Sequence, residues 1–344
     1  MLRKICRLVV GIIVIAGVNG GLAHATTHDF FKGRTVRIIV GFTAGGAFDA
    51  YSRTIGRHLG KYLPGVSTII VENMPGAGSL IAANHVYKAA RPDGLTIGNF
   101  IGGIFVGQIL GRPGIEFDAL RFEYVGSPMR ENPVCVTTKT SDVTSLEKWR
   151  RSKMAVKLGA TGPGASSYDF PAVLKAALGL PIQIVSGYKG APEIRLAMQG
   201  GELHGTCIGW ESLRVTSRKD IESGDMVVVL QIVASAHSEL PNVPVAINFA
   251  NTEEGHQLIQ AGIHDVSTLV RPYVVPPGTP KERVQFLRTA FAATLADPEF
   301  LAEAKKSNLD IEPVTGEDLE RTVAKLFKLT PSVLAELKKA LSVK

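Results

Sequence analysis

GRTVRIIVGFTAGGAFDAYSRTIGR, residues 33–57, carries three physical signatures in the order that builds an anion-binding corner. Val36, Ile38, Ile39 and Val40 form a short β-branched run that reads as a buried strand. Gly45-Gly46 follows, where the chain turns tightly and brings backbone N–H groups close to a ligand because no Cβ intervenes. Asp49 then stands where a carboxylate accepts the orphan N–H groups of a first helical turn, and Tyr51, Ile55, Leu59 and Tyr62 recur at helical spacing. A helix N-terminus at such a corner favours negative charge by roughly 0.3–1 kcal/mol. An ordinary tight strand-to-helix turn has the same sequence, so the corner gains weight only from what surrounds it. No Lys follows the glycines as a Walker loop requires, and the Gly-x-Gly-x-x-Gly spacing of a dinucleotide fold is missing, which disfavours phosphate cofactors.

Upstream, Arg3, Lys4 and Arg7 precede an apolar run at 8–18 and the small-x-small triplet Ala23-His24-Ala25. This pattern reads as an export signal cut after Ala25, leaving a periplasmic protein. The apolar run falls short of the ~20 residues that span a bilayer, so no membrane insertion is expected after cleavage, with an uncleaved anchor as the alternative. Removing 1–25 leaves about 320 residues, enough for one large or two ordinary domains. The formal charge of +7 falls to +4, because three basic residues and no acid leave with the segment. The excess lacks the clustered cations and interleaved aromatics of a nucleic-acid surface. It serves solubility or draws an anion to a cleft equally well.

Two cysteines remain, Cys135 and Cys207, each in an apolar strand-like run. The export compartment allows a disulfide, but spacing cannot establish one. The histidines show no metal spacing and no Gly-x-Ser-x-Gly elbow occurs, so neither metal nor cofactor is expected.

Downstream, the strand at 67–72 runs into the loop 73–79 (NMPGAGS) and a helical stretch at 80–90. Pro92-Asp93-Gly94 is a turn with proline fixing φ and glycine taking the left-handed position, and the strand 95–100 follows, with Asn99 near its end. Strand and helix alternating at this rhythm argue an α/β fold with mostly parallel sheets flanked by helices.

FTAGGAFDAYSR (42–53), VENMPGAG (71–78) and RPDGLT (91–96) together resemble successive signatures of the tripartite tricarboxylate transporter substrate-binding proteins, the Bug-type extracytoplasmic solute receptors. The likeness continues in order through GYKGA (187–191), GGEL (200–203), LPNVP (240–244) and VPPGTPK (275–281). One departure stands in the first loop, where Thr43 and Ala44 replace the prolines the family carries before Gly-Gly. The resemblance implies a two-lobed type II periplasmic-binding-protein fold with one ligand held between lobes. The expected division is a signal peptide at 1–25, lobe 1 at 26–130 and 246–344, and lobe 2 at 131–245.

Within lobe 2 the loop Thr161-Gly162-Pro163-Gly164-Ala165-Ser166-Ser167 is the counterpart of the opening corner, and the resemblance implies that it holds a ligand carboxylate. Its hydroxyls and glycine N–H groups suit that role, while Ser166 or Ser167 also suits plain helix capping. Gly187-Tyr188-Lys189 reaches the same edge, with Tyr188 as a cleft-lining candidate and Lys189 either a ligand cation or a solvated side chain. Trp210, after a strand and beside Gly209, offers a flat wall or a core residue. The last hundred residues read as structural, with a helix begun by Thr279-Pro280 and a final helix opened by a Thr315/Asp318 capping box.

The ligand-contact set is therefore Phe42, Thr43, Gly45, Gly46, Phe48, Asp49, Asn99, Thr161, Gly162, Gly164, Ser166, Tyr188 and Trp210. The expected function is capture of a small carboxylate and its delivery to the membrane components of a tripartite transporter, using N–H and hydroxyl donors with no arginine required. Phe42, Phe48, Phe100, Tyr188 and Trp210 favour an aromatic or apolar ligand body. A ligand-sensing receptor is the alternative, and a periplasmic hydrolase, which needs a base beside a cleft serine, is a further one.

Overall fold

The computed structural model describes residues 30–341 except 189, together with all side chains in that span but those of 215 and 216. The expected export segment and Lys189 lie outside the described residues.

The β-branched run forms β1 (Thr35–Val40), in which Val36, Ile38, Ile39 and Val40 are wholly buried. It lies between β2 (Thr68–Asn73) and β3 (Thr96–Asn99) and runs parallel to both. After β4 (Glu123–Ser127) the chain crosses to a second sheet made of β5 (Pro133–Thr138), β6 (Val156–Ala160), β7 (Ile182–Ser186), β8 (Gly205–Gly209) and β9 (Met226–Gln231). It returns to add β10 (Tyr273–Val275) and β11 (Val314–Thr315) to the first.

The first sheet has the order β11-β4-β10-β3-β1-β2 and the second β7-β6-β8-β5-β9. In each, a parallel trio is joined by the first strand laid down after a crossing. β5 inserts antiparallel between β8 and β9, and β10 inserts antiparallel between β3 and β4. The two sheets are thus the frames of two lobes, each with one antiparallel strand inserted after a crossing, the two-lobed fold expected from the sequence.

Alternation along β1 sends Ile38 and Val40 to a core shared with Ile55, Leu59, Leu287 and Phe291, while Ile39 faces the opposite side. That opposite core continues under both sheets, through Phe100, Val173, Leu258, Leu319 and Leu337. Each such aliphatic side chain contributes roughly 1.5–3 kcal/mol by leaving water. The Thr315 hydroxyl accepts from the Asp318 amide at 3.1 Å and caps the helix Gly316–Leu326, which is not the final helix as expected, because Pro331 starts a further one, Pro331–Leu341.

Two helices in the last hundred residues depart from the expected division. Glu253–Ile259 and Pro331–Leu341 both pack on Ser166–Leu178, the helix that follows β6. A methyl on Gly262 would press on Val173 and Leu337, which shows how closely this layer is built. The stretch 246–344 thus contributes helices that pack on the second lobe's helix as well as strands of the first sheet.

Cys135 and Cys207 stand directly opposite in the antiparallel β5–β8 pair, with Cα atoms 4.0 Å apart, and form a disulfide in the second lobe's core.

Candidate functional site

The first corner folds as its residue types dictate. Gly45 takes φ +81°, a left-handed position that glycine enters without a Cβ penalty, and Gly46 then begins the helix Ala47–Leu59. The Gly45 amide donates to Asp49 Oδ2 at 2.8 Å, and Asp49 also accepts from Arg53 Nε at 2.9 Å and Asn73 Nδ2 at 3.0 Å. Burial alone would raise the Asp49 carboxyl, but these bonds outweigh it and hold the group below its ordinary range. Asp49 therefore ties the loop shut beneath the surface. Thr43, Ala44, Gly45 and Gly46 stay exposed above it, and Phe42 stacks on Phe48 with ring centres 4.3 Å apart.

The second corner repeats the device. Gly164 takes φ +90°, and its amide donates to Asp169 Oδ1 at 2.9 Å in the helix Ser166–Leu178. Burial pushes the Asp169 carboxyl up to about 6, against the Gly164 bond and the charge of Arg112. The buried Ser167 hydroxyl accepts from the Thr161 amide at 3.1 Å and so supports the strand end. Ser166 instead donates outward, to Glu131 Oε2 at 2.9 Å on the crossing between lobes. Around Gly162 no atom lies within 4 Å of where a Cβ would stand.

The second corner meets the first lobe at its third loop. A methyl on Gly103, at the end of the first lobe's third loop, would lie 3.3 Å from the Gly164 carbonyl oxygen. Arg271, on the return crossing just before β10, places its guanidinium carbon 4.9 Å from the centres of both the Phe48 and the Tyr51 rings. Its Nη1 donates to the Met129 sulfur at 2.6 Å, its Nε finds no partner, and it forms no ion pair among the described residues. Its charge reaches Glu131, whose carboxyl is raised by burial while Ser166, Arg271 and the Gly209 amide oppose the rise. Phe48 and Arg271 are thus in contact at the first helix start and Glu131 and Ser166 at the second, the two pairs linked by the Arg271 charge acting on Glu131.

Other expected residues occupy supporting places. Asn99 has no exposed surface and donates to the Ser52 hydroxyl at 2.9 Å, behind the first corner. Phe100 is wholly buried against Phe105 and Phe122. Trp210 is 7% exposed and donates its indole N–H to Glu239 at 2.6 Å. Tyr188 is half-buried, with its hydroxyl donating to Glu202 at 2.6 Å. Trp210 does line an interlobe cavity of ≈ 740 Å³, beside Glu211, Arg214 and Asp310. There Arg214 pairs with Glu239 at 3.3 Å and Asp310 at 3.0 Å and so acts as a strut between lobes, with Lys305 also on the cavity wall.

Arg271 and Glu131 escaped the sequence reading. For Arg271 a signal existed: it is the lone charge in the otherwise apolar or neutral run VSTLVRPYVVP, residues 266–276. Glu131 sits in a polar crossing where nothing distinguishes it from its neighbours.

Residues 52–337 match the family model described as the tripartite tricarboxylate transporter family receptor. A UPF0065 protein of Bordetella pertussis is 22% identical over 324 residues, covering 92% of this chain and 94% of that protein. Among solved structures, a TctC solute-binding protein from Polaromonas superposes with a TM-score of 0.71 at 17% identity, over 89% of this chain and 98% of that one. MatC from Rhodopseudomonas palustris, solved with bound malate, superposes with a TM-score of 0.60 at 20% identity, over 90% and 99%.

Proposed function

The chain belongs to the tripartite tricarboxylate transporter receptor family, and from that premise we propose that it captures a small carboxylate between its lobes, with Arg271 as the anchoring cation. The single observation that carries this reading is the guanidinium of Arg271, set against Phe48 and Tyr51 beside the first corner and in no ion pair among the described residues. Buried or half-buried cations require a partner, and a ligand carboxylate supplies one by a charge-assisted pair of hydrogen bonds. The exposed backbone of 43–46 and the loop 161–166 add N–H and hydroxyl donors from either side.

Phe42, Phe48 and Tyr51 make the wall on the first-lobe side aromatic, which favours a ligand with an apolar or aromatic body. The malate bound by MatC shows that this fold accommodates a small dicarboxylate in at least one protein. Ligand bridging both lobes favours their closed arrangement, and the closed form is the one presented to the membrane components of the transporter. Residence in the periplasm after cleavage at Ala25 belongs to the same proposal, and no helix among the described residues is long and apolar enough to cross a membrane.

Isothermal titration with benzoate-like acids and with citrate tests the reading, together with mass spectrometry of whatever co-purifies. Binding of one carboxylate per chain, tighter for the aromatic acid, is expected. Absence of any carboxylate binding by the ligand-stripped protein would overturn it.

The Ser166–Glu131 contact at 2.9 Å is the one observation that favours a hydrolase instead. A carboxylate is a weak base toward a serine hydroxyl, and no histidine relays between them, so capture without turnover is the better reading. Hydrolysis of activated esters that disappears in Ser166→Ala would reverse this choice.

A further inference from the structure

We infer that His58, Asp297 and Glu299 form a site for one divalent transition-metal ion, zinc by the chemistry of its donors, at the far end of the helix that starts at the first corner. The site is separate from the cleft, since twelve residues of helix at ~1.5 Å each lie between them. One imidazole nitrogen and two carboxylate oxygens from these residues lie within 4.8 Å of one another.

The hydrogen bonds decide which atoms are available. His58 is 8% exposed, and its Nε2 lies 2.7 Å from Glu303 Oε2. A carboxylate only accepts, so Nε2 carries the hydrogen and the neutral ring is left with a lone pair on Nδ1. That Nδ1 is buried, has no hydrogen-bond partner, and faces Asp297 Oδ1 at 3.9 Å. The two acceptors face each other across a place suited to a cation, with Oδ1 also accepting the Glu299 and Phe300 amides and lying 3.4 Å from Lys61 Nζ. A carboxylate behind a histidine, fixing its tautomer and leaving the other nitrogen forward, is the arrangement that supports metal-bound imidazoles.

Asp297 is equally fixed. It caps the helix Pro298–Lys306 by accepting from the Glu299 and Phe300 amides at 2.8 and 2.9 Å, and it accepts from the Tyr62 hydroxyl at 2.8 Å. The 3.9 Å separation needs to close by only about half an ångström to match two ligands at ~2.1 Å around a tetrahedral centre. Imidazole with carboxylates suits zinc or nickel better than the all-oxygen preference of calcium or magnesium.

Lys61 marks where positive charge settles. Its Nζ lies 2.7 Å from Glu299 and 3.3 Å from Asp297 Oδ2. Its side chain is 40% exposed on a flexible stem, so a dication displaces it at little cost. The ion then clamps the helix Ala47–Leu59 to the helix Pro298–Lys306, which already touch through His58 and Phe300, ring centres 5.7 Å apart.

Zinc chloride titrated into untagged, EDTA-treated full-length protein, followed by calorimetry and thermal unfolding, tests the site. One ion per chain and a rise in melting temperature reversed by EDTA are expected. Affinity should fall at least ~10-fold in His58→Ala and in Glu299→Gln, and rise in Lys61→Ala because the competing ammonium is gone. Glu299 is on the surface, with 79% of its side chain exposed, so its variant reads the site even where the His58 variant folds poorly. Wild-type protein that binds no zinc, or zinc binding unchanged in Glu299→Gln, overturns the site. So does weaker binding in Lys61→Ala, because removing a competing ammonium cannot weaken an ion held by these three ligands.

Discussion

Arg271 lies over the face of Phe48, its guanidinium carbon 4.9 Å from the ring centre, although the two stand at opposite ends of the chain's path through both lobes. The aromatic face steadies the cation by about 0.5–2 kcal/mol without neutralising it, so the charge stays available to a ligand. Tyr51 flanks it at the same distance, and burial, opposed by the Arg271 charge, pushes that phenol up to about 12, so it remains neutral.

Replacing the cation with an apolar side chain of similar length isolates its role. Arg271→Met should weaken carboxylate binding by roughly 10- to 150-fold, corresponding to about 1.5–3 kcal/mol for the lost charged hydrogen bonds. Arg271→Lys should recover part of it as a point charge. Calorimetric titration of both variants checks this, and undiminished affinity in the methionine variant would remove Arg271 from the site.

The two glycines of the first corner should behave differently. Gly45 is left-handed at φ +81°, so Gly45→Ala should cost about 1–2 kcal/mol of stability. Gly46 has φ −82° and only the Thr43 carbonyl, 3.6 Å from its built Cβ, as a neighbour. Gly46→Val should therefore leave stability within about 0.5 kcal/mol while its branched side chain blocks backbone approach and weakens ligand binding. Urea unfolding paired with calorimetry separates the two, and full affinity in Gly46→Val would mean the first half-site lies elsewhere.

Glu211 gives the fold a pH signature. Burial pushes its carboxyl up to about 7, with the charges of Glu131 and Asp310 adding and the Asn132 bond opposing. A carboxyl raised by folding contributes stability that is complete below its unfolded value and lost as pH rises through about 7. The stability of wild-type protein relative to Glu211→Gln should thus rise by about 1 kcal/mol from pH 8 to pH 6. His264, held down to about 4 by burial and the Lys325 charge, opposes the trend from about 6.5 downward, and Asp169, raised to about 6, adds to it; both are shared by the two proteins and cancel in the difference between them. Equilibrium denaturation at the two ends is the measurement.

The disulfide closes a loop across 72 residues. Its loss should cost about 2–5 kcal/mol, seen as a lower urea midpoint for Cys135→Ala/Cys207→Ala or for reduced protein. Two free thiols titrating in freshly denatured, unreduced protein would contradict the pairing.

Much of this molecule was written locally. The β-branched run at 36–40, the glycine before each corner helix, and the Thr315/Asp318 cap each depend on neighbours within a few residues, and each formed as read. The two lobes came instead from the family resemblance, since length and local pattern left one or two domains open. Trp210 was ambiguous in sequence, because an aromatic after a strand reads identically as wall or as core, and in the structure it is nearly buried yet lines a cavity. Phe100, expected beside the cleft, is buried instead among Phe105 and Phe122, a packing that no local pattern announces.

By itself the sequence determined the strand and helix rhythm, the corners and the family, since periodicity and turn chemistry are short-range properties of the chain. Tertiary structure alone decided which distant residues meet: Cys135 opposite Cys207, the helices Glu253–Ile259 and Pro331–Leu341 on the second lobe, and Arg271 beside Phe48. The physical reason is that a charge or thiol acquires its role from what surrounds it. Those surroundings are assembled only when strands far apart in the chain are laid side by side.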